Sequence, residues 1–302
     1  MERVYDSNLQ RDLDAYISSV GGQRRAAEII GYSESTLSTY RSGTYRGDVG
    51  KLESRLRELL TNKTEAEQLD ATASAPYVPT TVSSGVYDTI RICHLKGGLA
   101  VEAGDAGIGK TYAAKKYVED YPHSTTYISV NPCFSGVTAL LKLLCRELHV
   151  PTGRKDDMWY GIADRLCNGR RVLIIDEAQH LPIKTIDSLR SFYDCNPELG
   201  IVLIGNADTI STARNRESFA QIRNRTKLTE IRHTTHVRRV DIEMLFPAIR
   251  GEKRETELLL AVARSEQGVR GAANLWSNAA DNGNTTYDGM IAMAKAMHIV
   301  MR

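Results

Sequence analysis

Gly104-Asp-Ala-Gly-Ile-Gly-Lys-Thr111 is the most informative stretch of this chain, because it fits the pattern G-x-x-x-x-G-K-[ST] at every defined position. Glycines let a backbone turn tightly, so that its N–H groups point at phosphate oxygens. Lys110 brings a positive charge to such phosphates, and Thr111 a hydroxyl that can bind Mg²⁺. A glycine-rich turn without a ligand is the alternative. The apolar residues 99–103 before the stretch and the amphipathic segment after it favour a phosphate-binding loop between a strand and a helix.

Two acidic residues end a second apolar run, Arg171-Val-Leu-Ile-Ile-Asp-Glu177. Four consecutive apolar residues are typical of a buried parallel strand, and ligands of open α/β sheets bind at the carboxyl ends of such strands. We therefore expect Asp176 to hold Mg²⁺ and Glu177 to polarise the water that attacks a γ-phosphate. Solvated acids after an ordinary strand are the alternative, which the preceding phosphate loop disfavours.

A third run, Gly200-Ile-Val-Leu-Ile-Gly-Asn206, repeats this arrangement with an amide at its end. We expect Asn206 to orient the attacking water or to contact the γ-phosphate. Asn is otherwise an ordinary turn residue after a strand. The order of the three runs along the chain favours the functional interpretation.

Apolar runs alternate with helical segments from residue 85 onward, which is typical of an α/β domain with a parallel sheet. We expect strands over 99–103, 125–130, 172–175, 201–204 and 226–231, and helices over 111–120, 136–148, 159–167, 184–193, 256–267 and 272–280. Residues 61–84 are rich in Thr, Ala, Ser and Pro and predict a linker. The expected domains are therefore a small all-α unit (1–60), the linker (61–84), the α/β core (85–236) and a helical lid (237–302).

The composition is that of an average globular protein, with 42% hydrophobic and 25% charged residues, which excludes wholesale disorder and a collagen-like fibre. We expect no membrane partner and a cytoplasmic location, because the apolar runs are too short to cross a bilayer and no secretory signal is recognisable. The cysteines at 93, 133, 145, 167 and 195 form no C-x-x-C pair and predict reduced thiols.

Basic residues concentrate between residues 210 and 240, where eight Lys and Arg against two Glu give +6 (8 − 2), although the whole chain carries only +2. A solvated face is one explanation, and a nucleic-acid surface is another. Arg223 or Arg225 could also reach the γ-phosphate of a neighbouring subunit as an arginine finger. Arg270 opens a later helix and could fold back onto the nucleotide, or it could be a plain surface arginine.

These motifs occur in the order found in AAA+ ATPases, which the chain resembles over roughly residues 8 to 280. The run Val172-Leu-Ile-Ile-Asp-Glu-Ala-Gln-His180, followed by Ile201-Val-Leu-Ile-Gly-Asn206, is similar to the transposition ATPases within them. The resemblance implies a P-loop NTPase fold with a parallel five-stranded sheet and a short helical lid, and it implies ATP and Mg²⁺ as cofactors. It implies nucleotide contacts from Gly104, Asp105, Ala106, Gly107, Ile108, Gly109, Lys110, Thr111 and Tyr112.

The same resemblance implies a function. Such ATPases form an ATP-dependent helical filament on double-stranded DNA with little sequence preference, and they deliver this target DNA to a DDE transposase, whose stimulation of hydrolysis dissolves the filament. The implied partners are therefore double-stranded DNA, a transposase and further copies of the chain, in the host cell cytoplasm. A replication initiator or helicase loader, and a repressor switched by nucleotide, are the alternatives.

The run Gln23 to Gly43 resembles a helix-turn-helix of the phage repressor type. Gly31 suits the left-handed end of a first helix, and Ser33 the cap of a second. Inward-facing residues are expected at Ala26, Ile30, Leu37 and Tyr40, and DNA contacts at Ser35, Thr36, Thr39 and Arg41. A purely structural helical bundle is the alternative. In the second domain, filament-forming relatives imply DNA contacts at Arg154, Lys155, Lys184 and Arg190, and a solvated surface charge is the alternative for each of them.

Overall fold

A computed structural model describes residues 5–60, 77–134, 136–206 and 226–299. The chain divides into two compact units between Pro76 and Tyr77. The second unit therefore begins earlier than the boundary at residue 85 that composition suggested. The reason is local: the hydroxyl-rich residues 80–84 are not linker but a helix start, where the Thr80 hydroxyl accepts the N–H of Ser83 at 3.1 Å.

Within residues 5–60, the first unit contains four helices: α1 (Ser7–Ser19), α2 (Gln23–Ile30), α3 (Glu34–Arg41) and α4 (residues 49–60). Gly31 ends α2 in the left-handed conformation (φ 81°), and the Ser33 hydroxyl caps α3 by accepting the N–H of Thr36 at 3.1 Å. All four residues expected to face inward are buried, namely Ala26, Ile30, Leu37 and Tyr40. The helix end at Gly31, the cap at Ser33 and the inward-facing residues are thus found as expected, in a helical N-terminal unit.

The second unit contains a parallel sheet with the strand order β2-β3-β4-β1-β5, which confirms the predicted α/β fold. Its strands are β1 (Gly98–Gly104), β2 (Thr125–Ser129), β3 (Val172–Asp176), β4 (Gly200–Gly205) and β5 (Thr226–Arg232). Every strand predicted from an apolar run is therefore found, with ends that differ by one residue at most. β1 lies between β4 and β5, so that the loop after it leaves the sheet between two strand ends.

Among the described residues, five helices cover the two faces of the sheet: α5 (Thr81–Lys96), α6 (Lys110–Asp120), α7 (Val137–Glu147), α8 (Lys155–Leu166) and α9 (Ile183–Cys195). Side chains of β3 alternate between the faces, as they must in a strand. Val172 and Ile174 pack with residues of α5 and α6. Leu173 and Ile175 pack with residues of α7, α8 and α9. The continuous apolar run in the sequence reflects burial on both sides.

A helical region follows the sheet, with α10 (Arg239–Leu245), α11 (Lys253–Arg264), α12 (Gly268–Asp281) and α13 (Tyr287–Ala296). These helices share a core of their own, which includes Leu259, Leu275 and Met290. Val82 of α5 and Ile108 of the glycine-rich loop also belong to this core, so the lid packs directly on the loop. None of the helices in the described ranges is both long and apolar enough to cross a membrane.

Candidate nucleotide-hydrolysis site

The loop between β1 and α6 has the backbone that the glycine pattern requires. Gly107 and Gly109 adopt left-handed φ angles of 73° and 96°, which side chains other than glycine rarely tolerate. Lys110 opens α6 and is 9% exposed. Its ammonium group donates to the carbonyl of Gly104 at 2.9 Å and to that of Asp105 at 2.6 Å. The loop is therefore curled around a buried positive charge, at the N-terminus of a helix, where anions bind.

The first residues of the loop are fastened to the end of β5. The N–H of Asp105 donates to the carbonyl of Arg232 at 3.0 Å. In return, a carboxylate oxygen of Asp105 accepts the N–H of Thr234 at 2.7 Å. A Cβ at Gly104 would lie 2.5 Å from the carbonyl oxygen of Arg232, so that only glycine fits there. The side chain of Asp105, one of the expected nucleotide contacts, is thus engaged with the protein itself.

Asp176 ends β3 beside Thr111, as the sequence predicted. Its Oδ2 accepts the Thr111 hydroxyl at 2.7 Å and the phenol of Tyr127, on β2, at 2.9 Å. Its Oδ1 accepts the N–H of Glu177 at 2.9 Å. A carboxylate and a hydroxyl side by side are oxygen ligands of the kind that Mg²⁺ prefers, so the residues present fit the metal. Tyr127 was missed from sequence, where it is one more apolar residue in a strand.

Glu177 adopts a left-handed backbone conformation with φ 57°, which is uncommon for a residue with a side chain and recurs at functional sites. The side-chain amide of Gln179 donates to the Glu177 carboxylate, and its oxygen accepts the N–H of Asn206 at 3.3 Å. Gln179 therefore links the ends of β3 and β4. The sequence placed Glu177 and Asn206 at neighbouring strand ends but did not single out Gln179 as the residue between them.

Electrostatics at the site follow from burial. Burial lowers the pKa of Lys110, while the nearby carboxylates of Asp176 and Glu177 act in the opposite direction. Burial also raises the pKa of Tyr127, and the neighbouring Asp176 adds to this rise. The phenol of Tyr127 consequently stays protonated at neutral pH and keeps donating its hydrogen bond. The site thus combines the buried cation of Lys110 with the carboxylates of Asp176 and Glu177. Binding of a polyphosphate would add negative charge and so change the electrostatic balance among these groups.

The lid meets the loop at the start of α12. The N–H of Arg270 donates to the carbonyl of Gly107 at 3.1 Å, and a Cβ at Gly268 would lie 2.7 Å from the carbonyl oxygen of Ala106. The Arg270 side chain is exposed. Ile108 is 1% exposed and belongs to the lid core, so its side chain anchors the loop. The two finger candidates, Arg223 and Arg225, lie outside the described residues.

Tyr112, the last of the expected nucleotide contacts, lies one residue beyond the loop on α6. Its ring stacks on Tyr77 with centroids 5.6 Å apart and an interplanar angle of 23°. Tyr77 also donates to the hydroxyl of Ser83 at 3.2 Å. Tyr77 was missed from sequence, because it falls at the edge of the Ala- and Pro-rich stretch.

The four N-terminal residues that were expected to contact DNA differ in how exposed their side chains are and in whether these side chains already have partners. Ser35 is exposed, whereas Thr36 and Thr39 are partly buried. The Thr39 hydroxyl donates to the carbonyl of Ser35 at 2.9 Å. Arg41 forms an ion pair with Asp14 and donates to the side-chain oxygen of Gln23 at 2.7 Å. Arg41 is thus held against its own unit, an arrangement that the sequence did not reveal.

The four residues of the second unit that were expected to contact DNA fall into two groups: arginines that have acidic partners, and lysines that line a groove. Arg154 lies 3.5 Å from Asp156, and Arg190 lies 3.2 Å from Asp194 and 3.7 Å from Asp187, so both arginines have acidic partners. Lys155 and Lys184, in contrast, line a common groove of about 680 Å³ between α7, α8 and α9. Trp159 and the 65% exposed Tyr160 line the same groove. The structure therefore brings the two lysines together.

The fold and the site together define an ATPase of the AAA class. The AAA domain family matches residues 94–211, which run from the end of α5 to beyond the end of β4. Over 251 residues the chain is 30% identical to the ATP-dependent target DNA activator B of Escherichia phage Mu, covering 80% of this chain and 77% of that protein. The chain belongs to this target DNA activator B family, as its resemblance to the phage Mu B protein in length and domain order predicted.

Two further relatives are similar to the chain in sequence, and two solved structures share its fold. The activator B of Escherichia phage D108 is 29% identical over 251 residues, covering 80% of this chain and 77% of the relative. The Mu-like prophage FluMu DNA transposition protein B of Haemophilus influenzae is 27% identical over 187 residues, covering 61% of this chain and 64% of the relative. Cdc6p of Pyrobaculum aerophilum (TM-score 0.52, 16% identity, 72% of this chain and 68% of that one) shares the fold. So does the Orc1 protein of Aeropyrum pernix (TM-score 0.50, 16% identity, 74% and 66%).

Proposed function

We propose that the protein is an ATP-dependent DNA-binding ATPase that assembles as a helical filament on target DNA and delivers that DNA to a DDE transposase. The observation that carries the proposal is the 30% identity with a target DNA activator over 80% of the chain. Membership of that family favours this function over the initiator, helicase-loader and repressor alternatives. The function places the protein with DNA in the cytoplasm of the host cell, in target selection and target immunity.

In this proposal, residues 104–112 bind ATP, and Thr111 and Asp176 hold Mg²⁺. When bound, the metal neutralises charge on the phosphates. Lys110 leaves its two carbonyl partners to donate to the β- and γ-phosphates, which offer it stronger, charged acceptors.

Glu177 accepts a proton from the attacking water, and Asn206 orients that water. Arg270 contacts the nucleotide from the lid, which its position beside Gly107 supports. Arg223 or Arg225 reaches the γ-phosphate of a neighbouring subunit, so that ATP joins successive subunits and hydrolysis releases them.

DNA binding is proposed to rest on phosphate contacts rather than on base readout. Lys155 and Lys184 share a groove, and the acidic residues that also line it, Asp156 and Asp187, pair with Arg154 and Arg190 instead. Arg154 and Arg190 contribute less, because nearby carboxylates already neutralise them. The helix-turn-helix adds a second, tethered contact through Ser35, Thr36, Thr39 and Arg41, which raises the local concentration of the second unit on DNA.

The proposal is tested by measuring duplex DNA binding with ATP and with ADP. Lys110→Ala should abolish ATP binding and ATP-dependent DNA binding together, whereas Glu177→Gln should retain ATP and prolong DNA residence. Lys115→Ala is the matched control, since it removes the same charge from an exposed position of α6. Unchanged ATP-dependent DNA binding by Lys110→Ala would refute the coupling.

A further inference from the structure

An ion pair whose carboxylate is fully buried joins β1, the strand before the phosphate loop, to its neighbour β5. Glu102 lies on β1, two residues before Gly104, and its side chain is 0% exposed. Arg232 ends β5 and donates from its guanidinium to a carboxylate oxygen of Glu102. A charged residue in an interior strand of a parallel sheet is unusual, because such strands are buried on both faces. The nucleotide chemistry described above does not use either side chain.

The guanidinium of Arg232 packs against α5 at Gly85, where there is no side chain. A Cβ at Gly85 would lie 2.5 Å from one of its nitrogens, so the absence of a side chain there makes room for the group. Another guanidinium nitrogen lies 3.5 Å from the hydroxyl of Thr89, and 3.9 Å from the carboxylate of Glu230. Arg232 is thereby fixed from β1 and from α5 at once.

Stability alone does not account for this arrangement. Burial raises the pKa of Glu102, and the hydrogen bond from Arg232 opposes that rise. The second carboxylate oxygen of Glu102 is buried without a hydrogen-bond partner among the described residues. An ion pair buried in this way is no more stabilising than a well-packed apolar pair of the same volume. Unlike an apolar pair, the ion pair fixes the orientation of the Arg232 side chain relative to β1.

The position of Arg232 in turn affects the phosphate loop, because the backbone at the end of β5 is hydrogen-bonded to that loop. The carbonyl of Arg232 accepts the N–H of Asp105 at 3.0 Å, and Thr234, two residues further, donates to the Asp105 carboxylate at 2.7 Å. The carbonyl of Asp105 in turn accepts from Lys110 at 2.6 Å. A shift of Arg232 would therefore move the residue against which the phosphate-binding lysine rests.

We propose that Glu102 and Arg232 are positioning residues for ATP hydrolysis: their ion pair holds the end of β5, which holds the phosphate loop in its binding geometry. The inference rests on the ATPase activity and not on the proposed DNA function. Neither residue touches the nucleotide, so each acts through Asp105. Loss of the pair weakens ATP binding in ground state and transition state alike, which raises KM more than it lowers kcat.

The decisive variant is Glu102→Met with Arg232→Met, which replaces the charges by an apolar pair of similar length. Its thermal unfolding midpoint should stay near that of the unchanged protein. Its Kd for a fluorescent ATP analogue and its KM for ATP should rise about tenfold, equivalent to about 1.4 kcal/mol, while kcat changes less. Glu230→Gln, which removes the exposed carboxylate beside the same arginine, is the matched control and should leave both constants unchanged.

Gly85→Ala supplies an independent test that does not alter either charged residue. Alanine favours a helix over glycine, so α5 should tolerate the change, while the added methyl group displaces the guanidinium. We expect its Kd for the ATP analogue to rise as well. If the double variant or Gly85→Ala is folded and binds the analogue with unchanged Kd and KM, the pair is merely structural and the proposal is overturned. Because nucleotide is measured without DNA, failure here is distinct from failure of the filament proposal.

Discussion

Gln179 is the residue whose replacement should most clearly separate nucleotide hydrolysis from nucleotide binding. Its amide donates to the Glu177 carboxylate and accepts from the N–H of Asn206. A hydrogen bond to a charged group contributes about 1.5–3 kcal/mol. Both side chains are half-buried, so we reduce this to about 1–1.5 kcal/mol. If the bond positions Glu177 in the transition state, Gln179→Met should lower kcat about five- to tenfold.

The assay is steady-state ATP hydrolysis with Mg²⁺ and saturating duplex DNA, together with the Kd of a fluorescent ATP analogue. Kd should change little, because the hydrogen bonds of the Gln179 side chain go to Glu177 and Asn206 and not to the described residues of the phosphate loop. Gln179→Glu keeps the shape but places a second negative charge beside Glu177, so its kcat should fall further than that of Gln179→Met. A kcat within twofold of the unchanged protein for both variants, with normal folding, would show that Gln179 does not position Glu177.

Three further outcomes follow from the two units and their charges. Removing residues 1–76 should retain ATP hydrolysis, because the second unit is compact by itself, and should weaken DNA binding by at least about tenfold. Replacing Lys155 and Lys184 together by Ala should lower the slope of log affinity against log salt by about two, whereas Arg190→Ala, which removes an acid-paired charge, should leave it nearly unchanged. The free energy of unfolding should fall as the pH drops below about 6.5, because burial lowers the pKa of His94 and the unfolded chain binds the proton more tightly; His94→Asn should lessen this fall.

For each of these three predictions, a specific experimental result would contradict it. Loss of hydrolysis in the shortened chain would mean that the first unit takes part in the nucleotide site. An equal change of salt slope for Arg190→Ala and the double lysine variant would mean that the acidic partners do not neutralise the arginine. A full acid-induced loss of stability in His94→Asn, followed by chemical denaturation at several pH values, would assign the loss to other groups.

The sheet and the phosphate loop could be predicted because their causes are local. A run such as Val172 to Ile175 can be apolar throughout only where both faces are covered, and a turn such as Gly107-Ile-Gly109 is open to few residues but glycine. The carboxylate of Asp176 and the hydroxyl of Thr111 meet because strand ends of a parallel sheet share one edge. Such relations follow from pattern and topology alone.

The remaining features depend on which strands become neighbours. β5 follows all other strands in the chain but pairs with β1, and this pairing creates the contact of Arg232 with Glu102 and with the loop. The phenol of Tyr127 reaches Asp176 because β2 pairs with β3. The start of α5 was mistaken for linker because Thr and Ser serve equally in loops and in helix caps. Single-sequence patterns carry no information on these distant pairings.

Electron microscopy of the protein with Mg²⁺, ATP and plain duplex DNA tests most directly whether bound ATP joins subunits around DNA. We expect regular helical filaments along the duplex with ATP, none with ADP, and longer-lived ones for Glu177→Gln. Bare DNA and isolated particles under all three conditions, from protein that binds ATP, would contradict the proposed filament.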